Sequence, residues 1–357
     1  MYLEKKDLHG IGDFLLNILP GRGHLITYVD LRVSQWKYSK PRDRVPSKGE
    51  ILYERWLALD EHADEDEMTR LRRFRRVSVA EIITNLPNVE HVDIFGVAVP
   101  AFGPGVAAHL RELEVAHAHC LHSASRQVTT SLRIDMKGEG AKTTSRGDLA
   151  SFLSAFPHIT FLQCADLFVQ HEGNAALQQI LPSLPSLFRL SIYQSPFFDD
   201  SITLFPWTAP VKILRLLHCD NLSLSALIRL LTSISPTLER LHLFGVPSDI
   251  VVIEADQLEL ALPLAKLESL SLTTTHDAAL LHLFADAPLR DLSIGFCPLI
   301  EASEWEAFIL GRAETLRAVG FHWKRSLSIE EICSLQDLCG KQGIRLRLLN
   351  SDRFRFR

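Results

Sequence analysis

Three histidines and a cysteine stand within six residues at His117-Ala118-His119-Cys120-Leu121-His122, with His109 a short way upstream. On a strand, His117 and His119 would share a face, and imidazole with thiolate is a zinc-binding set. The run follows a predicted strand, though, and polar residues crowded at a turn are commonly just solvated, so no metal site is assigned. A basic stretch is the second candidate. Arg70, Arg72, Arg73, Arg75 and Arg76 could hold phosphate. The preferred reading is a solvated helix face beside the acidic run Asp60, Glu61, Asp64, Glu65, Asp66 and Glu67. Arg353, Arg355 and Arg357 alternate with Phe354 and Phe356, behind Arg345 and Arg347. That pattern suits RNA or an acidic peptide, and equally a frayed tail after a last strand. Asp199-Asp200 has no partner histidine pattern. No phosphate-binding glycine loop, G-x-S-x-G, H-E-x-x-H or paired C-x-x-C occurs, so neither an enzyme nor a cofactor is expected.

The regular feature of the chain is of another kind. An apolar anchor, two free positions, an apolar residue, a free position and another apolar residue recur from Ile159, Leu187, Val211, Leu238, Leu267, Leu289 and Leu316, spaced 22–29 residues apart. Leu187-x-x-Leu190-x-Ile192 and Leu238-x-x-Leu241-x-Leu243 are clear copies. Weaker copies start at Ile26, Val89 and Leu110, Leu132-x-Ile134 lacks an anchor, and Ile344-x-Leu346-x-Leu348 is expected as a final strand. This spacing marks a leucine-rich repeat. The L-x-L step puts two side chains on one face of a short strand. One strand cannot bury them alone, whereas stacked parallel copies bury them together. The expected fold is α/β: a leucine-rich repeat solenoid, or horseshoe, of about eleven or twelve turns, with parallel strands on the concave face and helices on the convex face.

Helices should fill the return paths. Ser78-x-x-Glu81, Ser303-x-x-Glu306 and Ser328-x-x-Glu331 fit capping boxes, and Gly340 or Gly343 can stop the last helix. Leu86-Pro87, Phe156-Pro157, Leu184-Pro185, Ala209-Pro210, Ser235-Pro236 and Ala287-Pro288 precede strands, where proline ends a helix and favours extended backbone. Leu3, Leu8, Ile11, Leu15, Ile18 and Leu19 have helical spacing, so residues 1–24 are expected to be an N-terminal capping helix. The solenoid is expected over 25–349, with a charged loop inserted at 34–67 and a basic tail at 350–357.

Composition sets the outer limits. The 357 residues are 46% apolar and 23% charged, as in globular proteins, and the net charge of −5 argues against nucleic acid as partner. No apolar run is long enough to span a membrane, and no signal-peptide core follows Met1. Cys120, Cys164, Cys219, Cys297, Cys333 and Cys339 are scattered and read as reduced thiols, which points to the cytoplasm or the nucleus.

The surface left for function is the concave strand face, made of the free positions beside the strand leucines. Its middle turns carry Arg189, Tyr193, Arg215, Leu217, Arg240, His242 and Phe244, a mixture enriched at binding hot spots. Tyr193, Arg215, Leu217, His242 and Phe244 are expected as anchors. The arginines suit an acidic or phosphorylated segment of a protein partner. Ser269, Ser271, Asp291 and Ser293 make the later turns small and polar. The repeats resemble the ribonuclease-inhibitor-like class, and their proline-tagged form resembles the repeat half of fungal F-box proteins. That resemblance implies substrate recognition in an SCF-type ubiquitin ligase. The F-box that docks the ligase adaptor opens with an L-P-x-E-type motif, which residues 1–25 do not contain, so an adaptor would bind only through an F-box upstream. The alternative is a structural or regulatory repeat scaffold without a ligase role.

Overall fold

The computed structural model describes residues 2–3, 19–32, 48–59, 66–95, 109–116, 129–135, 144–167, 169–170, 176–246, 261–274, 278–322 and 328–349. The chain divides into two compact units, Met1–Ser186 and Leu187–Arg357, and each is a stretch of α/β solenoid of the leucine-rich-repeat kind. The first unit holds strands β1 (Tyr2–Leu3), β2 (Tyr28–Arg32), β3 (His91–Phe95), β4 (Glu112–Ala116), β5 (Ser131–Asp135), β6 (Thr144–Ser145), β7 (Phe161–Ala165) and β8 (Val169–Gln170). β6 and β8 pair apart from the others, which lie parallel in chain order. In the second unit β9 (Arg189–Tyr193), β10 (Ile213–Leu217), β11 (Arg240–Phe244), β12 (Ser269–Thr273), β13 (Asp291–Ile294), β14 (Ala318–His322) and β15 (Arg345–Leu349) are likewise parallel in chain order.

Register turns the sequence repeat into a core. Leu190, Leu214, Leu241, Leu270 and Leu292 are partners across adjacent strands, and so are Ile192, Leu216, Leu243, Leu272 and Ile294. None is more than 2% exposed, and the anchors from Leu187 to Leu316 are equally covered. Each such side chain contributes about 1.5–3 kcal/mol by leaving water. The missing anchor before Leu132 is Thr129, fully buried, whose hydroxyl donates to the Leu110 carbonyl of the preceding turn. A polar residue fits there because its one polar atom is satisfied.

Strand ends are closed by a recurring device. Asp166, Gln194, His218 and Gly245 each follow their strand directly, all at positive φ (+49°, +43°, +51° and +61°). The backbone thus bends away in the left-handed region, which glycine alone enters without steric cost. Further on, the buried thiols of Cys219 and Cys297 point at the carbonyls of Ile192 and Leu272 on earlier strands, at 3.8 and 3.6 Å.

The return paths depart from expectation in several places. Ser328 and Glu331 form their capping box, with N–H donors at 2.6 and 3.2 Å. Ser78, however, is buried mid-helix; the helix Glu67–Thr84 is capped by Asp66, which accepts from the Thr69 N–H. Before Ala302–Leu310 the box is Glu301 with Glu304 rather than Ser303 with Glu306, because that helix starts earlier. Between β9 and β10 the chain makes a short 3-10 turn, Asp200–Thr203, and Phe197, Phe198 and Trp207 fill the space a helix would take. The 34–67 segment, expected to be a loop, contains the helix Lys48–Leu59. Its Tyr53 packs on Phe74 with ring centroids 5.0 Å apart, and Arg73 lies over Trp56. Of the expected capping helix, Tyr2–Leu3 is instead a strand that pairs with Asp30 and Leu31 and so covers the sheet edge. Leu19–Arg22 is helical, and residues 4–18 lie outside the described residues. So do His117–His122 and the 350–357 tail. Among the described residues no helix is long and apolar enough to cross a membrane.

Arg312 joins two turns. Its guanidinium is buried, stacks on Phe308 and donates to the carbonyls of Phe308, Phe284 and Ala285, each at 2.8 Å. These carbonyls lie at the ends of two return-path helical turns, where backbone donors run short, although the Phe284 carbonyl also accepts from the Ala287 N–H at 3.2 Å. Replacing it by Ala should cost about 3 kcal/mol, since bonds to a charged group are lost and the carbonyls stay buried. Chemical denaturation should show the midpoint falling with little change in slope.

Candidate functional site

Strand register in the second unit sets the seven expected residues on a grid of three strands by three rows. Arg189, Ile213 and Arg240 are partners in the first row. Ser191, Arg215 and His242 make the second, and Tyr193, Leu217 and Phe244 the third. Neighbouring strands lie about 4.8 Å apart and alternate residues of one strand about 6.7 Å apart. Arg215 therefore sits on the middle strand, diagonal to Arg189 on one side and Arg240 on the other. The three guanidinium groups form a triangle with His242 at its edge.

The third row is aromatic. His218, at its left-handed position after β10, meets both Tyr193 and Phe244 edge-on, with ring centroids 6.2 and 4.7 Å away. Phe244 is 36% exposed, whereas Leu217 is only 8% exposed and serves as the floor beneath the rings. Gly245 keeps this arrangement open: a Cβ there would come within 3.0 Å of His218 Nδ1.

Electrostatics single out the triangle. Among the described residues no ion pair joins Arg215 or Arg240 to a carboxylate. The Arg215 guanidinium is held below its ordinary pKa first by burial, then by the charges of Arg189 and Arg240. Burial also pushes His242 down to about 4, helped by Arg215, Arg189 and Arg240, so its imidazole is neutral at pH 7. Among the described residues, Arg215 Nε and the buried Ser191 hydroxyl have no hydrogen-bond partner. Beside His242 a hollow of about 140 Å³ opens, lined by Ser269, Ser271, Ser293, Ala318 and Gly320 and bounded by Asp291 and Arg347. It exists because three strands in succession, β12 to β14, place small residues on this face.

Compared with known proteins, the chain matches no protein-family sequence model and no curated protein. Among the described residues, no three His, Cys, Asp or Glu side chains are placed to hold a metal. Burial pushes the thiols of Cys164, Cys219 and Cys297 up to about 12, which leaves them protonated and unreactive. The grid presents a cationic centre, with an aromatic row on one side and a small polar hollow on the other.

The first unit presents different chemistry on its own strand face. Asp30, Asp93 and Glu114 are partners across β2, β3 and β4. Tyr28 donates to Asp93 at 2.7 Å, and Arg133 to Glu114 at 3.4 Å. Burial first, and then the neighbouring carboxylates, hold Asp93 and Glu114 above the ordinary carboxylate range.

The alternating rows were legible in the sequence; His218 and the hollow were not. His218 carries no repeat signal, and the hollow arises only when Gly320, Ala318 and the serines come together across strands. His242 gives a direct check. It faces Arg215 and Arg189 on the preceding strands, Arg240 on its own and Ser271 on the next. With its pKa lowered in the fold, the unfolded chain binds the proton more readily, so stability falls as pH drops from about 6.5 through 4. In NMR titration the His242 ring should change charge near pH 4, and Arg215→Met should move that midpoint upward. His242→Gln should flatten the stability profile over the same range.

Proposed function

We propose that this chain is a non-catalytic protein-interaction module that holds a partner on the strand face of its second unit. The observation that supports this most strongly is the register that sets Arg189, Arg215 and Arg240 beside Tyr193, His218 and Phe244. Arginine and aromatic residues are the types that dominate binding energy in protein interfaces. The backbone beneath Arg215, His242 and Phe244 is held on both sides, because β10 and β11 each pair with two neighbouring strands, which lowers the ordering cost of binding.

The finer reading is that the module recognises substrates for an SCF-type ubiquitin ligase. It rests on the likeness of the proline-tagged repeats to the repeat half of fungal F-box proteins. Under the alternative, the repeats serve as a scaffold without a ligase role. Pull-down with the ligase adaptor separates the two: recovery of the adaptor with the full-length gene product favours the ligase role, and its failure favours the scaffold.

The strand-face reading is tested by the Tyr193→Ala, Phe244→Ala double variant. Proteins captured by the wild-type chain from its source cells should bind the double variant at least tenfold more weakly, with an unchanged thermal midpoint. Equal affinity for the two would remove the site from this face.

A further inference from the structure

The two strand faces carry opposite charge. β3 and β4 set Asp93, Glu112 and Glu114 outward, and neither strand contains a lysine or an arginine. β10 and β11 set Arg215 and Arg240 outward, and neither contains a carboxylate. Glu114 is held above the ordinary carboxylate range first by burial and then by Asp93, just as Arg215 is held down first by burial and then by Arg189 and Arg240. Each face therefore concentrates like charge that a face of the other sign would relieve. Ser191 adds a second sign on the arginine side. It is 7% exposed, lies beside Arg215 in register, and its hydroxyl has no hydrogen-bond partner among the described residues. Buried hydroxyls are ordinarily satisfied, so an acceptor from outside suits this one.

We propose that the strand face of the second unit receives the strand face of the first unit of another copy of this chain. This rests on the proposed function and names the partner that the same face holds. Both faces are parallel arrays in chain order, so they share one hand and one lattice, about 4.8 Å by 6.7 Å. Laid face to face with strands in opposite directions, they keep their strand order in step. β2 then lies over β9, β3 over β10 and β4 over β11, with the first row of one over the third row of the other. Asp93 falls over Arg215, and Glu114 over His242 with Arg240 beside it. Asp30 falls over Ser191, whose hydroxyl gains an acceptor. Tyr28, 37% exposed, falls over Tyr193, while Glu112 stays paired with His91 at 3.0 Å. Stacked sheets lie about 10 Å apart, a gap that an arginine and a carboxylate side chain span together.

Charge and spacing favour a second copy over nucleic acid. A nucleic-acid strand gains affinity from many phosphates along a basic track. Here the arginines end at β11, and β12 and β13 follow with serines and Asp291. The first unit's face instead offers its carboxylates at the spacing of the arginines, because the same burial of apolar residues sets the register of both. Its own acidic row calls for a cation, and a second copy meets both needs in one contact. Because the two patches differ, the contact is heterologous. One contact leaves one patch of each kind unfilled, so assembly runs past a dimer or closes as a ring.

Sedimentation velocity on the full chain is the test. In about 0.05 M salt the average mass should climb past that of one chain as the protein is concentrated to about 0.1 mM. Raising the salt to about 0.5 M, where exposed charges are screened within about 4 Å, should weaken the association at least tenfold. Asp93→Asn with Glu114→Gln should weaken it as much, and so should Arg215→Met with Arg240→Met. An equimolar mixture of these two variants should form a one-to-one dimer and stop there, since each keeps one intact patch. Arg290→Met, outside the face, should change nothing. Arg240 is exposed, so Arg240→Met alone reports on the contact if the Arg215 variant fails to fold. A wild-type chain that stays single at low salt, or association unmoved by both salt and Arg240→Met, would overturn the proposal. If the wild-type chain stays single while a foreign protein needs Tyr193 and Phe244 to bind, the second copy is ruled out and the protein-binding face stands.

Discussion

No strand of this protein can bury its own leucines. Each repeat strand is five residues or fewer, with two apolar side chains on one face, and they leave water only when the next turn lies against them. The need to bury Leu190 under Leu214, and Leu214 under Leu241, forces the strands into parallel register. Register then fixes the other face. With every second residue committed to the core, the alternate ones become points on a lattice about 4.8 Å by 6.7 Å. Arg189, Arg215 and Arg240 converge because the leucines beneath them are aligned, and no contact between the arginines themselves is needed to bring them there.

Turn closure depends on the same alignment. After each of four strands one residue enters the left-handed region, and in the second unit this carries the chain off the sheet toward the return path. At β10 that residue is His218, and its ring is delivered between Tyr193 and Phe244. Glycine follows at Gly245, where a side chain would collide with that ring. A backbone device that ends a strand thus also completes the aromatic row. Arg312 plays the matching part on the return side, where it ties carbonyls of two turns together.

The legible part of the fold is the part that repeats for a physical reason. Burial demands an apolar residue at fixed offsets, so the twelve strands with L-x-L steps could be placed from sequence, and their outward positions with them. Thr129 escaped because a satisfied hydroxyl fills an anchor site as well as leucine does. The return paths were harder to place, since their length varies and packing can be met by a helix, a 3-10 turn or loose aromatics. Phe197, Phe198 and Trp207 solve that problem with bulk where Leu224–Ile234 solves it with a helical face. In Lys48–Leu59 the flanking charge runs masked a helix whose signal is Tyr53 and Trp56 on one side. Within the site, Leu217 looked like an anchor because alternation places it outward; burial beneath its aromatic neighbours makes it a floor.

The two strand faces handle concentrated charge differently. On the first, Asp30, Asp93 and Glu114 sit side by side, but Tyr28 donates to Asp93 and Arg133 to Glu114, so part of the repulsion is met locally. On the second, no carboxylate among the described residues pairs with Arg215, and His242 stays neutral next to it. Folding alone gives no reason to keep such an arrangement: methionine in place of Arg215 would cover the same apolar floor without the repulsion. Among the described residues that cost is borne by Arg215, whose charge is opposed by burial and by Arg189 and Arg240. The alignment of the leucines below is what holds Arg215 against the charges of Arg189 and Arg240, so the burial that builds the core also sets the repulsion on the face above it.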